Sequence, residues 1–205
     1  MMIKPLLPAF LLCTCLSINP QAHATSPSFD CGKVEKGSIE ELVCQSAELT
    51  DLDVKLANAY KAASQKAANQ HPNLLKAEQR GWIKGRNDCW KSDDKNACVA
   101  DSYRQRTAEL QARYQLIAGK GPVHYACDGN PAKEVVATFY PTEPKSVVAE
   151  FGDSSSLMFL QDSDSGQHYV GRNETLTAGK DITTVVWGYE APQMQCKALD
   201  KPHQQ

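Results

Sequence analysis

The chain has 205 residues and a formal net charge of −2 at pH 7. Beyond its N-terminal apolar stretch, no segment approaches the roughly 18 uninterrupted apolar residues of a membrane-spanning helix, which excludes a protein built around such helices. Residues 25–120 contain 15 basic and 13 acidic side chains, whereas residues 121–205 contain 6 and 11. This acidic second half argues against a nucleic-acid-binding protein and favours a basic partner.

An export signal is predicted at the N-terminus. Lys4 precedes an apolar stretch over residues 5–18, and Ala22-His23-Ala24 provides the small residues that a signal peptidase requires. We therefore expect cleavage near Ala24, which makes residues 1–24 a signal peptide. The mature chain is then expected to be soluble and either periplasmic or secreted.

The cysteines predict a disulfide-bonded protein. Two of the eight, Cys13 and Cys15, lie in the signal and follow leucine and threonine. An acylated cysteine follows a small residue, so neither a lipid anchor nor stable membrane insertion is expected. An even number of remaining cysteines in an exported chain predicts three disulfides. Zinc is the alternative, but there is no Cys-x-x-Cys pair and the histidines are far apart, so no metal or other cofactor is expected. The six cysteines are Cys31, Cys44, Cys89, Cys98, Cys127 and Cys196.

Residues 25–118 are predicted to form a helical domain. Apolar residues recur at helical spacing from Ile39 to Ala63, from Leu74 to Cys89 and from Val99 to Ile117. The first of these segments predicts a short turn followed by a helix. His71-Pro72-Asn73 separates it from the second helix, because proline cannot continue a helix.

Four cysteines allow three pairings, and two of these are plausible in this domain. If the first two helices are antiparallel, the end of the second lies beside the start of the first. That arrangement favours a crossed scheme, Cys44 with Cys89 and Cys31 with Cys98. Local pairs, Cys31 with Cys44 and Cys89 with Cys98, are the alternative.

A linker at residues 119–122 is predicted to separate the helices from a β domain, because the periodicity changes there from helical to alternating. Residues 123–200 contain short β-like runs between polar, glycine or proline turns, which predicts an antiparallel sandwich or barrel. Residues 201–205 are expected to form a tail. A disulfide between Cys127 and Cys196 would join the two ends of the sheet. The runs are Val123–Ala126, Val135–Tyr140, Val147–Phe151, Leu157–Leu160, His168–Val170, Glu174–Thr177, Thr183–Trp187 and Gln193–Lys197.

Cysteine, tryptophan and arginine motifs follow one another at specific spacing along residues 29–114. They are Phe29-Asp30-Cys31, Glu40-Glu41-Leu42-Val43-Cys44, Leu49-Thr50-Asp51-Leu52-Asp53, Tyr60, Gln79-Arg80-Gly81-Trp82-Ile83, Arg86-Asn87-Asp88-Cys89, Cys98 and Tyr103-Arg104-Gln105-Arg106. In these motifs the first half resembles the lysozyme-inhibitor LprI N-terminal family, whose members are exported bacterial helical domains.

Three shorter motifs mark the second half: Tyr125-Ala126-Cys127-Asp128-Gly129, Ser165-Gly166-Gln167-His168-Tyr169 and Cys196. In them the second half resembles the MliC family, the membrane-bound inhibitors of c-type lysozyme. The resemblance implies a small antiparallel β-barrel. Together the two halves are expected to form a two-domain protein of α+β class, with an all-α disulfide-linked domain first and the barrel second.

The resemblance to MliC also implies a binding site for lysozyme. In that family, a Ser-Gly-x-x-Tyr loop and a second loop with lysine beside glycine enter the lysozyme active site. Ser165, Gly166 and Tyr169 match the first loop; Lys180, next to Asp181, matches the second, although the order here is Gly-Lys and not Lys-Gly. The chain is therefore expected to be a periplasmic inhibitor whose protein partner is c-type lysozyme.

Two other functions were weighed against inhibition. Ser165, His168 and Asp164 suggest a hydrolase triad, but no Gly-x-Ser-x-Gly elbow surrounds the serine, and residues so close along a strand point in different directions. We therefore expect no enzymatic activity. The alternative function is an envelope module that binds another protein or a glycan without inhibiting lysozyme; the polar stretch 162–166 would then be an ordinary solvated turn.

Overall fold

The computed structural model of the chain describes residues 26–70, 73–163 and 166–199. The predicted signal peptide and the tail 201–205 lie outside these residues. The described chain forms four α-helices followed by an eight-stranded antiparallel barrel. This confirms the α+β fold class predicted from the sequence.

The first half consists of four helices, each of which begins at a polar side chain. Ser38, Ser46, Asn73 and Asp94 each accept a hydrogen bond from the backbone N–H three residues later, which satisfies a donor that the helix itself leaves unpaired. Because Ser46 also ends the first helix, the segment predicted as a turn and a helix forms two helices. The helices are α1 (Ile39–Gln45), α2 (Ala47–Lys66), α3 (Leu74–Asn87) and α4 (Lys95–Arg113).

The last helix is shorter than its apolar pattern predicts. α4 ends at Arg113 and does not continue to Ile117. Gln115 has a φ of 48°, a left-handed conformation that ends a helix, and the N–H of Leu116 returns to the carbonyl of Gln111 at 2.8 Å. The first strand then begins at Lys120, so residues 120–122 of the stretch 119–122 that was expected to be a linker belong to the sheet.

Both disulfides of the helical half are local, and the favoured crossed scheme was wrong. Cys31 pairs with Cys44, and Cys89 pairs with Cys98. The end of α3 does lie beside the start of α1, where Arg86 forms an ion pair with Glu40. Cys44, however, lies one helical turn further along α1, where the 3-10 turn Cys31–Lys33 is packed against it.

A buried polar network joins all four helices of this half. The hydroxyl of Tyr103, which is fully buried, donates to Oδ1 of Asp53 at 2.9 Å and accepts from Nη1 of Arg86 at 2.7 Å. Arg86 also donates to Glu40, and the other oxygen of Asp53 accepts from the backbone N–H of Ser28 at 2.5 Å. Burial raises the pKa of the Tyr103 phenol well above its ordinary range, so this hydroxyl keeps its proton. The opposite charges of Asp53 and Arg86 are thus held in the core through a neutral bridge.

The second half is a closed barrel in which each strand pairs with the next and β1 pairs with β8. Cys127 and Cys196 face each other in that last pairing and form the expected disulfide. Every predicted β-run overlaps one observed strand. The strands are β1 (Lys120–Cys127), β2 (Asn130–Tyr140), β3 (Ser146–Phe151), β4 (Ser154–Gln161), β5 (Gln167–Val170), β6 (Glu174–Ala178), β7 (Thr183–Trp187) and β8 (Met194–Ala198).

The two halves are in contact through α4, which packs against β3 and β4. A groove of about 350 Å³ between them is lined by Trp82 and Gln105 of the helices and by Phe159 of β4. In a second groove, Glu143 of the β2–β3 connection lies near Glu48 of α2. The helices therefore lie beside β3, β4 and the β2–β3 connection.

We expect the Tyr103→Phe substitution to lower the free energy of unfolding of the helical half by about 1 to 3 kcal/mol, because Asp53 and Arg86 both lose a buried partner. Urea denaturation followed by the helical circular-dichroism signal measures this change. Tyr60→Phe is the matched control, since Tyr60 packs against the same core and its hydroxyl has no partner among the described residues. That variant should stay within about 0.5 kcal/mol of the unsubstituted protein. Equal losses in the two variants would contradict the role of the network.

Candidate functional site

The two connections expected to bind lysozyme lie side by side at one end of the barrel. The first joins β4 to β5 and the second joins β6 to β7. Because β5 pairs with β6 and Gln167 faces Ala178, Gly166 and Gly179 are neighbours at this end. A Cβ atom on Gly166 would lie 3.3 Å from the carbonyl oxygen of Ala178. Ser165 lies outside the described residues.

Gly166 occupies a conformation that a larger residue would adopt only with strain. Its φ is 110°, outside the regions that L side chains normally populate, and it is exposed. Asp162 and Ser163, on the other side of this connection, are also exposed. The first connection therefore presents polar residues and a glycine to solvent at the barrel rim.

Tyr169 anchors the exit of the first connection. It is 3% exposed and lies among the core residues of the barrel, with its ring 5.6 Å from that of Phe139 in an edge-on arrangement. Its cross-strand neighbours are Leu160 on β4 and Leu176 on β6. Burial raises the pKa of the Tyr169 phenol. Tyr169 thus anchors the chain three residues after Gly166 and supports the first connection from within the barrel core.

The second connection is a tight turn that displays Lys180 and Asp181. A Cβ atom on Gly179 would lie 2.3 Å from the carbonyl oxygen of Ile182, so only glycine permits this closure of the turn. Lys180 and Asp181 are both exposed. Within the described parts of the chain, the ammonium of Lys180 has neither a hydrogen bond nor an ion pair. The turn therefore presents the ammonium group of Lys180 at the barrel rim, where no described residue accepts a hydrogen bond from it.

His168 lies between the two connections but is already engaged. Its Nδ1 is 2.8 Å from the hydroxyl of Thr177, the residue opposite it on β6. The ring is half-buried and belongs to the wall of the barrel. This cross-strand contact places His168 in the support of the site, together with Tyr169.

The described residues 26–70, 73–163 and 166–199 contain no group of three or more His, Cys, Asp or Glu side chains that could hold a metal ion. No helix within these same ranges is both long and apolar enough to cross a membrane.

Comparisons with known proteins agree with the two-part organisation. Residues 31–110 match the family model of the lysozyme inhibitor LprI, and residues 125–194 match that of the membrane-bound lysozyme-inhibitor of c-type lysozyme, MliC. Relatives named Lipoprotein LprI, from Mycobacterium bovis and Mycobacterium tuberculosis, are 29% identical to the chain over 171 residues, which is 82% of this chain and 84% of each relative. No solved structure matches it significantly.

These matches confirm the resemblance of each half to its family. Both are families of lysozyme inhibitors, and the chain is accordingly a non-enzymatic protein.

We expect Tyr169→Ala to lower the free energy of unfolding of the barrel by about 3 to 5 kcal/mol, because it removes a buried aromatic ring from the core. Denaturant unfolding followed by a probe of the barrel measures the loss. Tyr189→Ala is the matched control in the same barrel: Tyr189 is 78% exposed, so that variant should change stability by less than about 0.5 kcal/mol. A Tyr169→Ala barrel as stable as the control would show that the ring does not anchor the connection.

Proposed function

We propose that this protein inhibits a c-type lysozyme by inserting the β4–β5 connection, with Ser165, and the β6–β7 connection, with Lys180, into the active-site cleft of the enzyme. The observation that carries the proposal is the proximity of the two connections at one barrel end, where Gly166 and Gly179 are neighbours. The matches to two lysozyme-inhibitor families support the same function.

The chemistry of the target explains why these side chains suit it. A c-type lysozyme cleaves its substrate with two carboxyl groups that flank the scissile bond at the bottom of a cleft. Ser165 would donate its hydroxyl hydrogen to one carboxylate, and Lys180 would supply an ammonium to the same anionic pair. Hydrogen bonds to ionised partners contribute roughly 1.5 to 3 kcal/mol each. The inhibitor thus occupies the position of the sugar without presenting a bond to cleave.

The support of the two connections reduces the cost of binding. Tyr169 is buried in the barrel core, and Gly179 closes its turn at a position where a Cβ atom would clash with the carbonyl oxygen of Ile182. The described ends of both connections are therefore held by strands before the partner arrives, which reduces the conformational entropy that is lost on association. Gly166 has no side chain that would keep the backbone away from the cleft wall.

The charge of the second half suits a basic enzyme. Residues 121–205 carry a net charge of −5, and opposite charges on two partners raise the rate of encounter.

We infer an envelope location, in the periplasm, from the predicted export signal and from the names of the matched families.

We expect Ser165→Ala and Lys180→Ala each to raise the inhibition constant for a c-type lysozyme by about 10- to 100-fold, since each removes one charge-assisted hydrogen bond. Titration of lysozyme activity with the purified mature protein measures this. Lys197→Ala removes an equally exposed lysine from β8 and should leave inhibition unchanged. The melting temperatures of all three variants should match that of the unsubstituted protein.

Full lysozyme activity at a micromolar excess of the mature protein would contradict the proposal. It would favour an envelope protein- or glycan-binding module in its place, which affinity capture from an envelope extract would then identify.

We also expect the association rate with lysozyme to fall by about tenfold or more from low to high ionic strength, because salt screens the attraction between an acidic barrel and a basic enzyme. Stopped-flow measurement at several salt concentrations gives the rate. The dissociation rate should change far less. An association rate independent of salt would show that the charge of the barrel does not guide the encounter.

A further inference from the structure

The two connections proposed to bind lysozyme are too small to form a complete protein interface. The β4–β5 connection consists of residues 162–166, and the β6–β7 connection consists of residues 179–182. A stable interface usually involves about 20 to 30 residues and about 800 Å² of surface on each partner. If both connections enter a cleft, the enzyme surface around that cleft must therefore contact further elements of this chain.

A third connection lies at the same end of the barrel, beside the first of these two. Every second connection of an antiparallel barrel shares an end, so the β2–β3 connection, residues 141–145, emerges with the other two. The pairing of β3 with β4 makes it the neighbour of the β4–β5 connection. Ser146 faces Phe159 in that pairing, and the N–H of Leu160 donates to the carbonyl of Lys145 at 2.8 Å. The three connections are thus consecutive around one rim.

Buried hydrogen bonds hold the β2–β3 connection in place. The hydroxyl of Thr142 donates to the carbonyl of Pro144 at 2.7 Å, and it lies 2.7 Å from the hydroxyl of Ser146. Because Thr142 has one hydroxyl hydrogen, it accepts the second bond from Ser146. Both side chains are buried. A connection fixed in this way has little conformational entropy to lose on association.

Glu143 lies at the middle of this connection and is exposed. Within the part of the chain that the structure describes, its carboxylate has neither a hydrogen bond nor an ion pair. Lys145, the other charged residue of the connection, directly precedes β3 at its base. On the opposite side of the rim, beside the β6–β7 connection, β1 begins at the exposed Lys120. The β2–β3 side therefore offers a basic enzyme an acidic group, whereas the β1–β8 side offers it a cation.

The helical half adds negative charge next to Glu143. Arg104 of α4 forms ion pairs with Glu48 of α2 and with Asp101. Carboxylates outnumber cations around the groove between the connection and the helices, so the local field favours an incoming cation. The groove has a volume of about 340 Å³, and its charged lining residues are Glu48, Asp51, Lys55, Arg104 and Glu143.

We propose that the β2–β3 connection is a third contact with the inhibited lysozyme, in which Glu143 forms an ion pair with a lysine or arginine beside the active-site cleft. This inference rests on the proposed inhibition through the other two connections. A basic enzyme supplies such a cation, and charge complementarity at the edge of an interface fixes the orientation of the partners. The contact would thus determine how the neighbouring β4–β5 connection enters the cleft.

The test is titration of c-type lysozyme activity with charge variants of the mature protein at physiological ionic strength. Glu143→Lys should raise the inhibition constant about tenfold or more, because a lysine there meets the cation of the enzyme. Glu143→Gln only removes the ion pair and should raise it about two- to fivefold. The matched control, Asp153→Lys, makes the same change of charge in the β3–β4 turn, at the opposite end of the barrel, where Asp153 is exposed. It should change the constant less than about twofold, since salt screens distant charges.

Equal inhibition constants for Glu143→Lys and Asp153→Lys would overturn the third contact. The proposed function would stand in that case, provided that Ser165→Ala and Lys180→Ala still weaken inhibition. Failure of the unsubstituted protein to inhibit lysozyme would overturn both proposals. Melting temperatures report whether the variants are folded. If Glu143→Lys is destabilised, the comparison of Glu143→Gln with Asp153→Asn decides in the same way.

Discussion

The pairing of β1 with β8 is the contact on which the geometry of the second half depends. It closes the sheet, and the Cys127–Cys196 disulfide joins the two strands where they face each other. In a closed antiparallel barrel, successive connections emerge alternately at the two ends. The β4–β5 and β6–β7 connections therefore share one end, and the pairing of β5 with β6 makes them neighbours. Two short polar turns that are separate in sequence become one surface because the barrel is closed.

The helical half differs from the barrel because its core contains charged side chains. Arg86 and Asp53 are each about 95% buried, which is costly for an ion unless it is paired and hydrogen-bonded. The hydroxyl of Tyr103 forms a hydrogen bond with each of them, and Glu40, at the edge of the core, forms an ion pair with Arg86. This network ties α1, α2, α3 and α4 together, and it leaves one side of α3 outside the packed core.

Sequence periodicity predicted the helices and the strands, because each depends on neighbours a few residues away. Contacts between distant residues were not accessible in this way. Tyr103 meets Asp53 across 50 residues, and Arg86 meets Glu40 across 46. The disulfide pairing shows this limit, since the end of α3 does lie beside the start of α1, but an offset of one helical turn decides which cysteines meet. At the site, the motif predicted Tyr169 as part of the first loop, whereas its burial in the barrel core and the adjacency of Gly166 and Gly179 follow only from the fold. The packing of α4 on β3 and β4 could not be predicted from the apolar periodicity of either half.

All three disulfides connect residues of the same half, and none spans the junction near Lys120. Each half therefore contains its full complement of paired thiols. A recombination event at the junction would separate the halves without leaving an odd cysteine to form mixed dimers or mispaired bridges during oxidative folding. In this respect either half could be fused to another disulfide-bonded protein without adding an unpaired cysteine.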